Sequence, residues 1–243
     1  MGDKDIILKV EDLEVHYGDF LAIQNVSMSV ERGSVTTLIG ANGAGKSTLL
    51  NTIMGINRPI KGEITFDGQD IVGMRTSSIV QKGITMAPEG SLVFEGMSVK
   101  ENLLMGAYVS SSRKKKDSLM EKVYALFPIL KEKENQLATF LSGGQRQMLA
   151  IARAIMSDPK MIICDEISLG LAPVVINDIF DKVKEINQTG VTFLIVDQEI
   201  ERCIEHSTYS FVMVKGGIVM EGNPSELPRD EVRDAFFGIN KYA

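Results

Sequence analysis

The segment Gly40-Ala41-Asn42-Gly43-Ala44-Gly45-Lys46-Ser47-Thr48 has the residue types and spacing of a loop that grips a phosphate chain. Glycines let the backbone turn so tightly that successive N–H groups converge on one anion, and the start of the following helix adds positive potential. Lys46 can then reach the outer phosphates, and Ser47 offers a hydroxyl to Mg²⁺. The implied chemistry is binding of a nucleoside triphosphate by Asn42, Gly43, Ala44, Gly45, Lys46, Ser47 and Thr48.

Met161-Ile162-Ile163-Cys164-Asp165-Glu166 is an apolar run ending in two acids. As a buried strand it delivers both carboxylates to the edge where α/β folds bind ligands. Asp165 suits Mg²⁺, and Glu166 is placed to polarise a water attacking a γ-phosphate. Leu141-Ser142-Gly143-Gly144-Gln145 precedes a helical run from Met148 to Met156. A serine hydroxyl and glycine amides at a helix start make a second anion site, although a single phosphate chain needs only one.

These groups need a scaffold that presents strand ends and helix starts together. Val35–Ile39, Met161–Cys164 and Val191–Val196 are continuous apolar or β-branched runs, which suit strands buried on both faces. They alternate with amphipathic segments, so the expected core is a mostly parallel α/β sheet of the P-loop type with flanking helices. Shorter runs at Ile6 to Val10, Leu13 to Tyr17 and Val26 to Val30, separated by Gly, Asp and Asn, predict an N-terminal antiparallel β layer. Leu103, Leu104, Ala107, Leu119, Val123, Leu126 and Phe127 recur at helical spacing, which predicts an inserted α-helical subdomain. The expected organisation is one domain, with residues 1–97 and 158–243 forming the β layer and RecA-like core and residues 98–157 the helical subdomain. A short helix is expected around Asp230 to Phe237.

Composition excludes several classes. With 26 basic against 32 acidic residues the net charge is −6, so no overall field draws the chain to nucleic acid or anionic lipid. No run of about 18 apolar residues predicts a membrane span, and the start Met1-Gly2-Asp3-Lys4-Asp5 has no signal-peptide core after it. Cys164 and Cys203 lack metal-ligand spacing and are expected to be inert thiols. The run Ser110-Ser111-Ser112-Arg113-Lys114-Lys115-Lys116 could form a phosphate-binding patch, but it is expected to be a solvated loop.

Taken together, these motifs resemble the ATPases of ABC transporters, whose signature is the Leu141-Ser142-Gly143-Gly144-Gln145 pattern lying between the phosphate loop and the Asp165-Glu166 pair. The resemblance covers nearly the whole chain and accounts for the second anion site. It implies a head-to-tail pair, a homodimer or a heterodimer with a second ABC ATPase, in which Ser142, Gly143, Gly144 and Gln145 of one chain close over the γ-phosphate held by the other. It further implies ATP and Mg²⁺ as ligands, with Ser47, Asp165 and Glu89 at the metal. The implied partners are integral membrane permease subunits and, indirectly, a solute-binding protein. The implied location is the cytoplasm, peripheral on the inner face of the cell membrane. Tyr17 matches the aromatic residue that stacks on adenine. Ser168-Leu169-Gly170-Leu171 resembles the loop that crosses the dimer, and Gly83 to Asn102 resembles the lever segment that feels the permease.

Three positions depart from the family pattern. Glu89 replaces a glutamine that touches Mg²⁺ and the attacking water, Gln198 replaces a histidine on the γ-phosphate, and Ile167 replaces a proline after the catalytic acid. A glutamine amide can hydrogen-bond phosphate but carries no charge. Pro88-Glu89-Gly90 and Gln198 narrow the resemblance to the LivF-type ATPases of branched-chain amino acid importers, with Ala235-Phe236-Phe237-Gly238 matching as well. The implied catalytic set is Glu166, Gln198 and Glu89. The alternatives are an ATPase serving another solute, or an ABC-type ATP-gated clamp outside transport. Such clamps insert long heptad coiled coils that this chain lacks. A GTPase or kinase would need a base-reading Asn-Lys-x-Asp, and Asn240-Lys241-Tyr242-Ala243 lacks the acid.

Overall fold

The computed structural model describes residues 5–237. Met1-Gly2, Gly238 and the segment from Asn240 to Ala243 lie outside the described residues. In chain order the elements are β1 (Ile6–Tyr17), β2 (Phe20–Glu31), β3 (Val35–Ile39), α1 (Lys46–Ile53), β4 (Lys61–Phe66), β5 (Gln69–Asp70), α2 (Thr76–Lys82) and β6 (Ile84–Ala87). There follow α3 (Val99–Gly106), α4 (Ser110–Arg113), α5 (Lys116–Leu126), α6 (Pro128–Glu132), α7 (Gly143–Ile155), β7 (Met161–Asp165) and α8 (Pro173–Asn187). The chain closes with β8 (Thr192–Asp197), α9 (Ile200–His206), β9 (Tyr209–Val214), β10 (Gly217–Gly222) and α10 (Arg229–Phe236). Two compact units divide it: residues 1–79 with 192–243, and residues 80–191.

The first unit holds an antiparallel sheet ordered β2-β1-β4-β5 and a second set of strands ordered β10-β9-β3-β8. There β3 runs parallel to both β8 and β9, and β10 returns antiparallel to β9. Every residue of β3 and β8 is buried, as a strand covered on both faces requires. The polar members are bonded inside: Thr37 Oγ1 and Ser210 Oγ share a hydrogen bond at 2.7 Å. The β layer is more extensive than expected: β2 runs from Phe20 to Glu31 where only Val26 to Val30 stands out in the sequence, and β4 and β5 join it. Ile6 to Val10 and Leu13 to Tyr17 are a single strand, because Asp12 is a bulge and not a break. Its φ is 46°, and its N–H donates to Ser27 Oγ at 3.0 Å, so the side chain of the neighbouring strand takes up the N–H that the bulge displaces.

The second unit pairs β6 with β7 in parallel and carries the helices α3 to α8. Helices α3, α5 and α6 pack on α7, and Val99, Leu103, Leu119, Val123, Leu126 and Leu130 on them are buried at helical spacing. Burying each such side chain contributes about 1.5–3 kcal/mol, which outweighs the weak intrinsic preference of these short helices. Ser98 caps α3 in a reciprocal capping box with Glu101, whose carboxylate is held below its usual range by the Ser98 N–H and hydroxyl. No helix among the described residues is long and apolar enough to cross a membrane.

Candidate nucleotide-binding and hydrolysis site

In the first unit, β3 ends directly at the phosphate loop, and register fixes what lies beside it. Ile39 pairs with Asp197, so Gly40 and Gln198 leave neighbouring parallel strands at the same carboxyl edge. Asp197 is buried, and its Oδ1 accepts the N–H groups of Gln198 at 2.7 Å and Glu199 at 3.1 Å. This Asx turn fixes where Gln198 emerges. Asp197, an acid closing a buried strand, carries the same sequence signal as Asp165.

The loop itself has the features an anion needs. Gly45 has φ +105°, a conformation that a side chain resists, and a Cβ there would lie 3.0 Å from the Ala22 carbonyl oxygen. Helix α1 starts from this residue with no side-chain cap and no acidic residue in its first turn. The first N–H groups of an α-helix have no partner within the helix, and the helix dipole favours a negative acceptor there. Lys46 is 4% exposed, and its Nζ donates to the Ala41 carbonyl at 3.1 Å, which holds the ammonium back against the loop it closes. Asn42, Gly43 and Ser47 are exposed. The loop is fixed from behind by the β9–β10 turn, where the Gly216 N–H donates to the Ala44 carbonyl at 2.9 Å. Tyr17 is half exposed, and its hydroxyl accepts from Asn57 Nδ2 at 2.7 Å, which leaves its ring on the surface.

These observations carry a prediction for Gly45→Ala. A non-glycine residue held at such a φ costs about 1–3 kcal/mol. Moving the loop to relieve it should raise the ATP KM by roughly 5- to 150-fold. Steady-state ATPase titrations check this, and a parental KM would mean that the loop geometry is not needed for binding.

In the second unit, Ala87 pairs with Cys164, so Pro88-Glu89 and Asp165-Glu166 also leave one carboxyl edge together. Asp165 and Glu166 are buried, at 4% and 8% exposure, whereas Glu89 is exposed. Glu166 has φ 51°, the left-handed region that a non-glycine residue enters at a cost. Ile167 after it is fully buried, so an apolar anchor holds the turn at the position where the family pattern has proline. Among the described residues no group of three or more His, Cys, Asp or Glu could by itself hold a metal. The predicted donors are hard oxygens and few, the kind of set that holds Mg²⁺ only together with phosphates and water.

Ser142 is the N-cap of α7: its hydroxyl accepts the Gln145 N–H at 3.3 Å, and the Gln145 side chain accepts the Ser142 N–H at 3.1 Å. Gly144 is buried, and a Cβ there would meet Val175 Cγ1 of α8 at 2.4 Å, so the helix start can approach α8 only with glycine. Both cysteines are buried thiols, neither of them in a disulfide. Burial, with the Asp197 and Glu199 carboxylates adding to it, pushes the Cys203 thiol well above its ordinary range and leaves it an unreactive neutral group.

A phosphate loop after a buried strand, a strand ending in two acids and a capped glycine-rich helix start define a nucleotide-hydrolysing class. The family model described as "ABC transporter" matches residues 23–168, and the chain belongs to that family as an ATPase. It is 42% identical over 236 residues to BraG, the high-affinity branched-chain amino acid transport ATP-binding protein of Pseudomonas aeruginosa, spanning 96% of this chain and 100% of that protein. It is 30% identical to LivF of Archaeoglobus fulgidus, named as a branched-chain amino acid transport ATP-binding protein, over 93% of this chain and 95% of that one. Among solved structures, an ATP-binding cassette of an ABC transporter in its ADP conformation matches with a TM-score of 0.80 at 32% identity, covering 96% of this chain and 95% of that chain.

Proposed function

We propose that this chain is the ATP-hydrolysing subunit of an ABC importer for branched-chain amino acids. The observation that carries the reading is the uncapped, acid-free start of α1 behind a left-handed Gly45, in a chain akin to BraG along its whole length. Tyr17 stacks on adenine, and the amides of residues 42–48 with the Lys46 ammonium hold the phosphates. Ser47, Asp165 and Glu89 are the residues that would hold Mg²⁺, which when bound neutralises phosphate charge. Glu166 polarises the attacking water, and Gln198 donates its amide to the γ-phosphate. Ser142, Gly143, Gly144 and Gln145 complete the site of a second copy or of a related ATPase, so hydrolysis needs a dimer. The segment from Gly83 to Asn102 senses permease subunits at the inner face of the membrane, and these in turn receive solute from a binding protein.

The test is to co-purify the chain with its permease subunits and add the binding protein with candidate solutes. Leucine, isoleucine or valine should stimulate ATPase activity. Stimulation by an unrelated solute alone would overturn the cargo, and absence of any ATP turnover would overturn the enzyme.

Gln198 carries a separate expectation. A hydrogen bond to a charged group contributes about 1.5–3 kcal/mol. Gln198→Ala should therefore lower kcat by roughly 10- to 150-fold, while Gln198→His should keep or raise it. Normal turnover in Gln198→Ala would mark the residue as structural.

A further inference from the structure

One buried polar side chain in the second unit is unused by the chemistry above. Gln147 lies on α7 just beyond the Ser142–Gln145 capping box and is 3% exposed. Ser91 Oγ donates to its Oε1 in a short hydrogen bond. Its Nε2 is buried without a hydrogen-bond partner among the described residues. Interiors rarely tolerate a half-satisfied amide, since leaving a donor unpaired costs its full desolvation.

The other end of this contact is equally unusual. Ser91 follows Glu89 and Gly90 in a short 3₁₀ turn, and both Gly90 and Ser91 have positive φ, 77° and 50°. For serine that conformation is strained and must be held by its surroundings. Just beyond it the chain is fastened twice. The Arg153 guanidinium of α7 donates to the Leu92 carbonyl and lies 5.0 Å over the Phe94 ring. Asn102 of α3 accepts the Phe94 N–H at 2.8 Å and donates to the Phe94 carbonyl at 3.0 Å. Residues 92–94 are thus fixed to the helices, Glu89 and Gly90 are exposed, and Ser91–Gln147 is the contact between the two.

We propose that Gln147 is a positioning residue. Through Ser91 it couples the turn carrying Glu89 to the start of α7, so that the state of a chain's own nucleotide alters the signature it offers to its partner. This rests on the dimeric ATPase reading above. A polar tie kept at the cost of an unpaired donor is expected where stability is not what it serves, and that gives a test in which stability and turnover separate.

The experiment measures MgATP turnover against concentration, and thermal unfolding, for the full chain and for Gln147→Met, Ser91→Ala and the double variant. Methionine keeps the volume and removes the unpaired donor. Gln147→Met is expected to unfold no lower than the parent, to keep its ATP KM within about twofold and to lose about tenfold in kcat, the scale of one hydrogen bond to a positioned group. Ser91→Ala should lose as much, and the double variant no more than either single, because one contact is removed in all three. Parental kcat in both singles, multiplicative losses in the double, or a kcat loss that tracks a lower unfolding temperature would overturn the coupling. A parent chain without ATP turnover would instead sink the ATPase reading, and this is visible before any variant is compared.

Discussion

Glu166→Gln is expected to abolish turnover while leaving MgATP bound and promoting the dimer. The substitution preserves the shape of a side chain that is 8% exposed and sits at φ 51°, so the turn after β7 is unchanged. What it removes is the carboxylate, and a neutral amide, although its oxygen can accept a hydrogen bond from water, is too weak a base to take the proton. General-base contributions of this kind are about 10²–10⁴-fold. Phosphate release should fall by at least about 100-fold, within that range. Size-exclusion chromatography in MgATP should show a larger species than the parent gives, because hydrolysis no longer ends the closed state. A parental rate of phosphate release would remove Glu166 from the mechanism.

Lys46→Ala should act one step earlier, on binding. At a ligand concentration about 100 times its dissociation constant, a native state gains about 2.7 kcal/mol. For a chain of this size each kcal/mol moves the midpoint by about 2–4 °C, so MgATP should raise the parental Tm by about 5–10 °C. The variant is expected to show almost none of that rise. The same scan without nucleotide gives the variant's own Tm, so that a change in folding is read separately from lost binding. A full MgATP shift in Lys46→Ala would mean that the phosphate loop is misassigned.

The two variants differ in what they leave intact, and this makes them informative together. Loss of protection with Lys46→Ala and retained protection with Glu166→Gln would separate a cradle from a catalyst. Loss of both would point to a general disturbance of the strand ends.

How far the chain could be read without its fold follows the range of the interactions involved. The phosphate loop was legible because its requirements are local: a left-handed Gly45, a lysine at the helix start and a strand before them lie within a few residues. The strands Val35–Ile39 and Met161–Asp165 were legible because burial on both faces leaves an uninterrupted apolar run. Capping acts over three residues, so the Ser142-x-x-Gln145 spacing is itself a local signal for the start of α7. Local signals also misled. Asp12 looks like a break between strands, yet cross-strand bonding carries β1 through it as a bulge.

Sequence alone thus determined the class of chemistry and the α/β fold with its antiparallel layer, and it put forward the residues proposed to carry ATP hydrolysis. Tertiary structure decided what holds those residues in place. Nothing near the phosphate loop announces that Gly216 bonds to Ala44, and nothing near Glu89 announces Gln147, 56 residues from Ser91, or Arg153, 61 residues from Leu92. The physical reason is that a conformation such as φ +105° at Gly45 is written in the residue type, whereas a contact between distant side chains is fixed only when the whole core packs.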